Sequence, residues 1–182
     1  TPVFKPFARR FASALVLVFI AKTSLPHAHA ATYYWDTNNG TAGFGTAGGT
    51  WAAPTTNNAT QGWSTDSTGG TALSGTTTTT TADALNFGTS TNGLAAGTIT
   101  ISGNVSSAGI TFGNASGNIT LSGGNITLAG DIGSSAASAG ITHTITSNIT
   151  LSGGTRQFGN TQNQRFIFTG VISGSSNLSA DT

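Results

Sequence analysis

Cysteine is absent from the 182-residue chain, so a disulfide framework, a zinc finger and thiol catalysis are all excluded. Charge is scarce. Only 6% of the residues are charged, against about 25% in an average soluble domain, which is too little for charge-driven disorder. Gly (26), Thr (34), Ser (20) and Asn (14) make up about half the chain, and all four are mediocre or poor in helices. Basic residues nearly vanish after residue 30: Arg156 and Arg165 stand against Asp36, Asp66, Asp83, Asp131 and Asp181. That segment has a net charge of −3 and no lysine, hence no basic patch for a phosphate backbone. Nucleic acid is not an expected partner.

Residues 1–30 read as an address. Lys5, Arg9 and Arg10 give a positive start, and Phe11 to Ala21 is an almost wholly apolar run. Ala28-His29-Ala30 places small residues before a cut ahead of Ala31. Together these are the parts of a secretory signal peptide. The apolar run falls short of the ~20 residues that a membrane-spanning helix needs, which argues against a retained anchor. Export, with cleavage near Ala30, makes the expected location secreted or cell-surface.

From about Asp83 the pattern has period two. Thr98-Ile99-Thr100-Ile101-Ser102, Asn118-Ile119-Thr120-Leu121-Ser122, Asn125-Ile126-Thr127-Leu128-Ala129 and Asn148-Ile149-Thr150-Leu151-Ser152 alternate polar and apolar residues. Such alternation places Ile and Leu on one face of a strand and the polar residues on the other. Ser102-Gly103-Asn104, Ser122-Gly123-Gly124-Asn125 and Ser152-Gly153-Gly154 supply turns. Asn-Ile-Thr-Leu-Ser-Gly-Gly occurs at 118–124 and again at 148–154, an offset of 30. Short strands and glycine turns in fixed order predict a β-solenoid, in which each rung buries its apolar face on the next. At about 20 residues per turn, residues 84–182 would make roughly five turns and about 24 Å of axis. The competing all-β arrangement is a compact antiparallel sandwich or barrel.

Residues 31–82 differ, carrying Tyr33-Tyr34-Trp35-Asp36 and all three tryptophans, Trp35, Trp51 and Trp63. They are expected to form a cap over the first rung, since an uncovered rung is an aggregating edge. Thr76 to Thr81 reads as a low-complexity linker or an extended edge. Tyr34, Trp35, Trp51 and Trp63 are the candidate glycan-stacking residues; the alternative is that they pack as the core of the cap itself.

Several segments together carry a family resemblance: Ala31-Thr32-Tyr33-Tyr34-Trp35-Asp36, Gly43-Phe44-Gly45-Thr46-Ala47-Gly48-Gly49-Thr50-Trp51, Trp63-Ser64-Thr65-Asp66, Ala82-Asp83-Ala84-Leu85-Asn86-Phe87-Gly88, Ala108-Gly109-Ile110-Thr111-Phe112, and the repeat at 119–128. The chain resembles the autotransporter-associated β-strand repeat proteins, passenger-type repeats of bacterial secreted and surface proteins. That resemblance implies a right-handed parallel β-helix, export across the inner membrane, and display on the cell surface or release from it. It also implies outer-membrane attachment through a C-terminal barrel. This chain, which ends at Asp181-Thr182 without barrel strands, is expected to be a truncated piece. The family has no shared catalytic residues to carry over.

The chemistry within the chain is sparse. The five aspartates are spread along the sequence, whereas polysaccharide cleavage needs clustered carboxylates. His143 is the one histidine after the leader and shares a strand face with Ile141 and Ile145, which suggests a core position rather than a catalytic one. No Gly-x-Ser-x-Gly elbow is present, and a lone Asp131 does not make the recurrent calcium motif of nonapeptide repeats. Neither catalytic nor metal-binding residues are assigned, and no cofactor is expected. The reading is an exported, non-catalytic structural or adhesive β-solenoid whose partners are glycans or neighbouring cell surfaces. The alternative is a polysaccharide-active enzyme, or a carbohydrate-binding module, on a β-helix.

Overall fold

A computed structural model describes residues 1–2, 30–135, 140–159 and 164–180. The leader helix expected within 1–30 falls on residues 3–29, outside the described residues. Everything described in strands is β. The N-terminal region contributes β1 (Thr32–Asp36), β2 (Thr50–Trp51), β3 (Thr55–Thr56), β4 (Gly62–Ser64) and β5 (Thr76–Thr77). A first turn follows, made of β6 (Ala84–Phe87), β7 (Gly97–Ile101) and β8 (Asn104–Ser107). The second turn is β9 (Gly109–Phe112), β10 (Ile119–Ser122) and β11 (Asn125–Leu128). The third is β12 (Ile132–Ser134), β13 (Thr142–Ile145) and β14 (Asn148–Leu151). The fourth is β15 (Arg156–Phe158), β16 (Arg165–Phe168) and β17 (Ile172–Gly174), and β18 (Leu178–Ala180) opens another.

These strands build a parallel β-solenoid of about four turns with three faces. The first face runs β1-β6-β9-β12-β15-β18, the second β2-β7-β10-β13-β16 and the third β8-β11-β14-β17. Leu85, Ile110, Ile132 and Phe158 share one register column, so successive turns take 25, 22 and 26 residues. On the third face Val105, Ile126, Ile149 and Ile172 are in register, at intervals of 21, 23 and 23. The expected turn of 20 residues, and the five turns derived from it, are therefore corrected. So is the meaning of the offset of 30. Residues 119–122 lie on the second face and 148–151 on the third, and the latter stack on Asn125–Leu128. The literal repeat spans one turn plus one strand and corner, because Asn-Ile-Thr-Leu suits either face equally well.

The local chemistry explains that interchangeability. Ile and Leu point inward: Ile99, Leu121, Ile126, Leu128, Ile149 and Leu151 are all buried, each contributing about 1.5–3 kcal/mol of burial. The asparagine at the head of a segment reaches the next rung. Asn118 Oδ1 accepts the Thr142 N–H at 2.9 Å and Asn148 Oδ1 accepts the Val171 N–H at 3.0 Å, satisfying donors at strand ends. At the corner between β10 and β11, Gly124 has φ +45°. A Cβ there would come within 2.6 Å of the Gly103 carbonyl oxygen and 2.8 Å of Ile101 Cγ2 on the rung below, so the corner requires glycine.

The N-terminal region sits on the first turn. β1 pairs in parallel with β6, and β2 with β7. β4 then pairs antiparallel to β1 and ends that sheet. The threonine run is part of this assembly. β5 pairs antiparallel with β3, and Thr79 is buried with its Oγ1 accepting the Trp51 indole N–H at 3.1 Å. Rings then run through the interior: Trp35 to Trp63 at 4.9 Å, Trp63 to Phe87 at 5.8 Å, Phe87 to Phe112 at 5.3 Å and Phe112 to His143 at 4.1 Å.

Candidate binding surfaces

The four candidate stacking residues lie close together, three of them enclosed. Trp35 and Trp51 have no exposed surface and Trp63 has 3%. The Trp35 Nε1–H donates to the Gly48 carbonyl at 3.0 Å. Trp63 meets both other indoles edge-on, and its own Nε1 is buried without an acceptor. Tyr34 is half-buried and stacks on Phe44 at 5.8 Å. A sugar ring needs an open aromatic face, and these three indoles present none, because they fill the interior above the first rung.

A groove of about 230 Å³ opens beside them, where Tyr33 and Trp63 meet the loop carrying Thr71 and Leu73, with Asn57 and Thr77 at the side. None of the described residues that line it is charged. Of this set the sequence pointed only to the aromatics. Asn57 and Leu73 reach the groove through the pairing of β3 with β5, which no local periodicity announces.

The outward faces form the other surface. On the second face Thr98, Thr120 and Thr144 are in register, with Thr50, Thr100 and Ser122 in a parallel column. The third face carries an outward column of Asn104, Asn125 and Asn148, and another of Ser106, Thr127, Thr150 and Ser173. Neighbours in a column stand about 4.8 Å apart. Thr150 Oγ1 donates to Asn125 Oδ1 at 3.1 Å across adjacent rungs. On the fourth turn the Thr98-Thr120-Thr144 column continues to Ile167, while Arg165 lies in register with Thr142, outside these columns.

The ionisable groups are separated and committed. His143 is fully buried, stacked on Phe112, with Nδ1 accepting the Ile119 N–H at 3.4 Å and Nε2 lying 3.1 Å from Gln164 Oε1. Nδ1 as acceptor makes Nε2 the protonated nitrogen, donating to Gln164. Burial lowers its pKa to about 4, against a smaller opposing effect of the Gln164 bond, so it is neutral at physiological pH. Asp131 Oδ1 accepts the Gln157 N–H at 2.8 Å. Asp83 is buried, and its carboxylate accepts from Thr80 and Ala31. Hydrogen bonds from Thr68, then Thr71, hold Asp66 at about 2. Asp36 is fully buried, and burial pushes its carboxyl above the usual range, with the Asn38 N–H on Oδ1 opposing. Asp83, Asp131 and His143 therefore do not share a groove: each binds a different set of partners, and His143 lies inside the coil. Among the described residues no three His, Cys, Asp or Glu side chains group as a metal site.

Comparison with protein-family models, with curated proteins and with solved structures returns no match to this chain.

Proposed function

We propose that the chain is an exported bacterial module, secreted or held at the cell surface, and that it works as a non-catalytic structural or adhesive β-solenoid of the autotransporter-associated repeat type. The observation that carries this reading is the pair of uncharged outward faces. Their hydroxyl and amide columns repeat rung after rung and contain no charge, the Thr98-Thr120-Thr144 column passing to Ile167 on the fourth turn. Such a face makes many equivalent weak polar contacts with a neutral surface, and repetition sums them. Catalysis is a poor use of these groups: among the described residues the hydroxyls of Thr68, Thr71 and Thr80 are given to Asp66 and Asp83, a nucleophile needs a base that is itself oriented, and the one described histidine of the solenoid is enclosed in the core.

A binding screen of the chain against cells, extracellular matrix and arrayed glycans tests this. Retention on at least one class, lost in a Thr120→Lys/Thr144→Lys double variant, is the expected result. Retention on none of them would refute adhesion. Release of reducing sugar from a polysaccharide panel, abolished by Asp131→Asn, would move the protein to the enzyme class instead. The groove of Tyr33, Asn57, Trp63 and Thr77 favours a second reading, capture of a short neutral saccharide by its hydroxyl and amide groups beside the Tyr33 ring. Oligosaccharide-induced change in tryptophan emission would support it, since all three indoles sit in this region.

A further inference from the structure

The first residue after the expected cleavage site is already held by a buried carboxylate. The Ala31 nitrogen donates to Asp83 Oδ1 at 2.9 Å, and the Ala31 carbonyl accepts the Ala84 N–H at 2.8 Å. Asp83 is 4% exposed. Its Oδ2 takes both the N–H and the hydroxyl of Thr80, each at 2.7 Å. Both basic residues after the leader lie on the fourth turn, on β15 and β16. Among the described residues no ion pair thus balances Asp83, although buried carboxylates are ordinarily paired. The cut site read from the small residues Ala28 and Ala30, and the seat read from the fold, coincide at one atom.

We infer that Asp83 is the seat of a new α-ammonium group, made when the leader is cut between Ala30 and Ala31, and that this ion pair locks the first strand onto the first turn. The inference rests on the export reading above. The step is hydrolysis by a leader peptidase. Water adds its hydroxyl to the Ala30 carbonyl carbon, the C–N bond breaks, and the Ala31 nitrogen gains one hydrogen from that water and a further proton from solvent. An amide donor at Asp83 Oδ1 thereby becomes a cation at the same place. A charge-assisted bond is roughly twice as strong as a neutral one. Ala31 is half-buried between exposed Ala30 and Thr32, so the remaining ammonium hydrogens face water. The locked strand is the one that carries Trp35 into the interior and pairs with β4. One pair thus fastens the strand on which β4 closes the sheet.

The pairing has a pH signature of known sign. An α-amine ordinarily titrates near about 7.7–8.0, and a neighbouring carboxylate raises that value in the folded state. The stability it adds is full below the unfolded amine's pKa and is lost as pH rises through the folded one. The other titratable group facing Asp83 is Tyr33, whose pKa is raised by burial and then by the Asp83 charge. Asp131 lies on the same corner two rungs on, engaged with Gln157.

The test compares the protein beginning at Ala31 with the same protein Nα-acetylated, and with one extended by a single glycine, which displaces the amine by about 3.8 Å. At pH 6 the native start should melt several degrees above both, and the gap should close by pH 10. Asp83→Asn should erase it. Equal melting at pH 6, or a gap that survives Asp83→Asn, would overturn the ion pair. The amine pKa, read by NMR in the folded protein, should lie above the ordinary range; an ordinary value also refutes the pair. Sequencing the N-terminus of the exported protein addresses the export reading separately. A start other than Ala31 refutes processing at that bond, whatever the melting experiments give.

Discussion

The two ends of the described solenoid are built differently. At the first turn, β4 closes one sheet antiparallel, and Trp35, Trp51 and Trp63 fill the interior to 3% exposure or less. At the fourth turn Phe166, Phe168 and Ile172 are half-buried and Val171 is 67% exposed, and on β18 beyond it Leu178 is 45% exposed. The same parallel pairing runs through both, so pairing alone does not seal a rung. Large rings and a reversal of strand direction do. In a stack where each turn contacts only its neighbours, stability should fall from the sealed end to the open one.

The sharpest way to break that comparison is a pair of truncations. Trp51→Ala removes a fully enclosed ring touching Trp63 and Phe87, and should cost about 3–5 kcal/mol. Phe168→Ala, in the half-buried fourth turn, should cost only about 1–2 kcal/mol. Denaturant unfolding followed by far-UV circular dichroism measures both, and equal losses would sink the gradient.

Next in size is acid. The unfolded chain protonates a histidine near 6.5, whereas folded His143 holds out to about 4. Its folded pKa is depressed, so its contribution is full above pH 6.5 and disappears as pH falls to 4. The loss is on the order of 3 kcal/mol. His143→Phe keeps a ring on Phe112 and should flatten stability across that window, at the cost of unpaired Gln164 and Ile119 groups. Because every tryptophan sits at the sealed end, circular dichroism should change before tryptophan emission as the pH is lowered.

The smallest effect sharpens the picture of the sealed end itself. Asp36 has a raised carboxyl pKa, caused first by burial. The folded state therefore binds that proton more readily than the unfolded chain does, and ionisation penalises folding as pH rises through the folded value. Asp36→Asn retains an acceptor for the Asn38 N–H and should melt a few degrees higher at pH 7. Calorimetry should show the advantage shrinking toward pH 3.

Much of this architecture is legible in the residues. The alternation at 98–102, 118–122, 125–129 and 148–152 locates β7, β10, β11 and β14 to within a residue, because inward Ile and Leu impose a period of two. The Ser-Gly turns mark three of the corners, β7 to β8, β10 to β11 and β14 to β15. What the residues conceal is which segment stacks on which. Asn148-Ile149-Thr150-Leu151 matches 118–121 in sequence but pairs with 125–128, and only the length of the intervening chain decides it. The tryptophans are legible as a cluster, but their burial is not, since a cap core and a sugar platform use the same residues. The groove walls at Asn57 and Leu73 depend on β3 pairing with β5, a threonine-on-threonine contact without a periodic signature.

The connections between strands distribute length unequally. From the second face to the third they take two or three residues on every turn, whereas from the first face to the second they take between six and nine. The coil therefore has one tight edge and one slack edge. Added residues at the slack edge would bulge outward as a loop and leave the inward columns in step. Along that seam the molecule is free to acquire new sequence, and with it new specificity, without rebuilding what supports it.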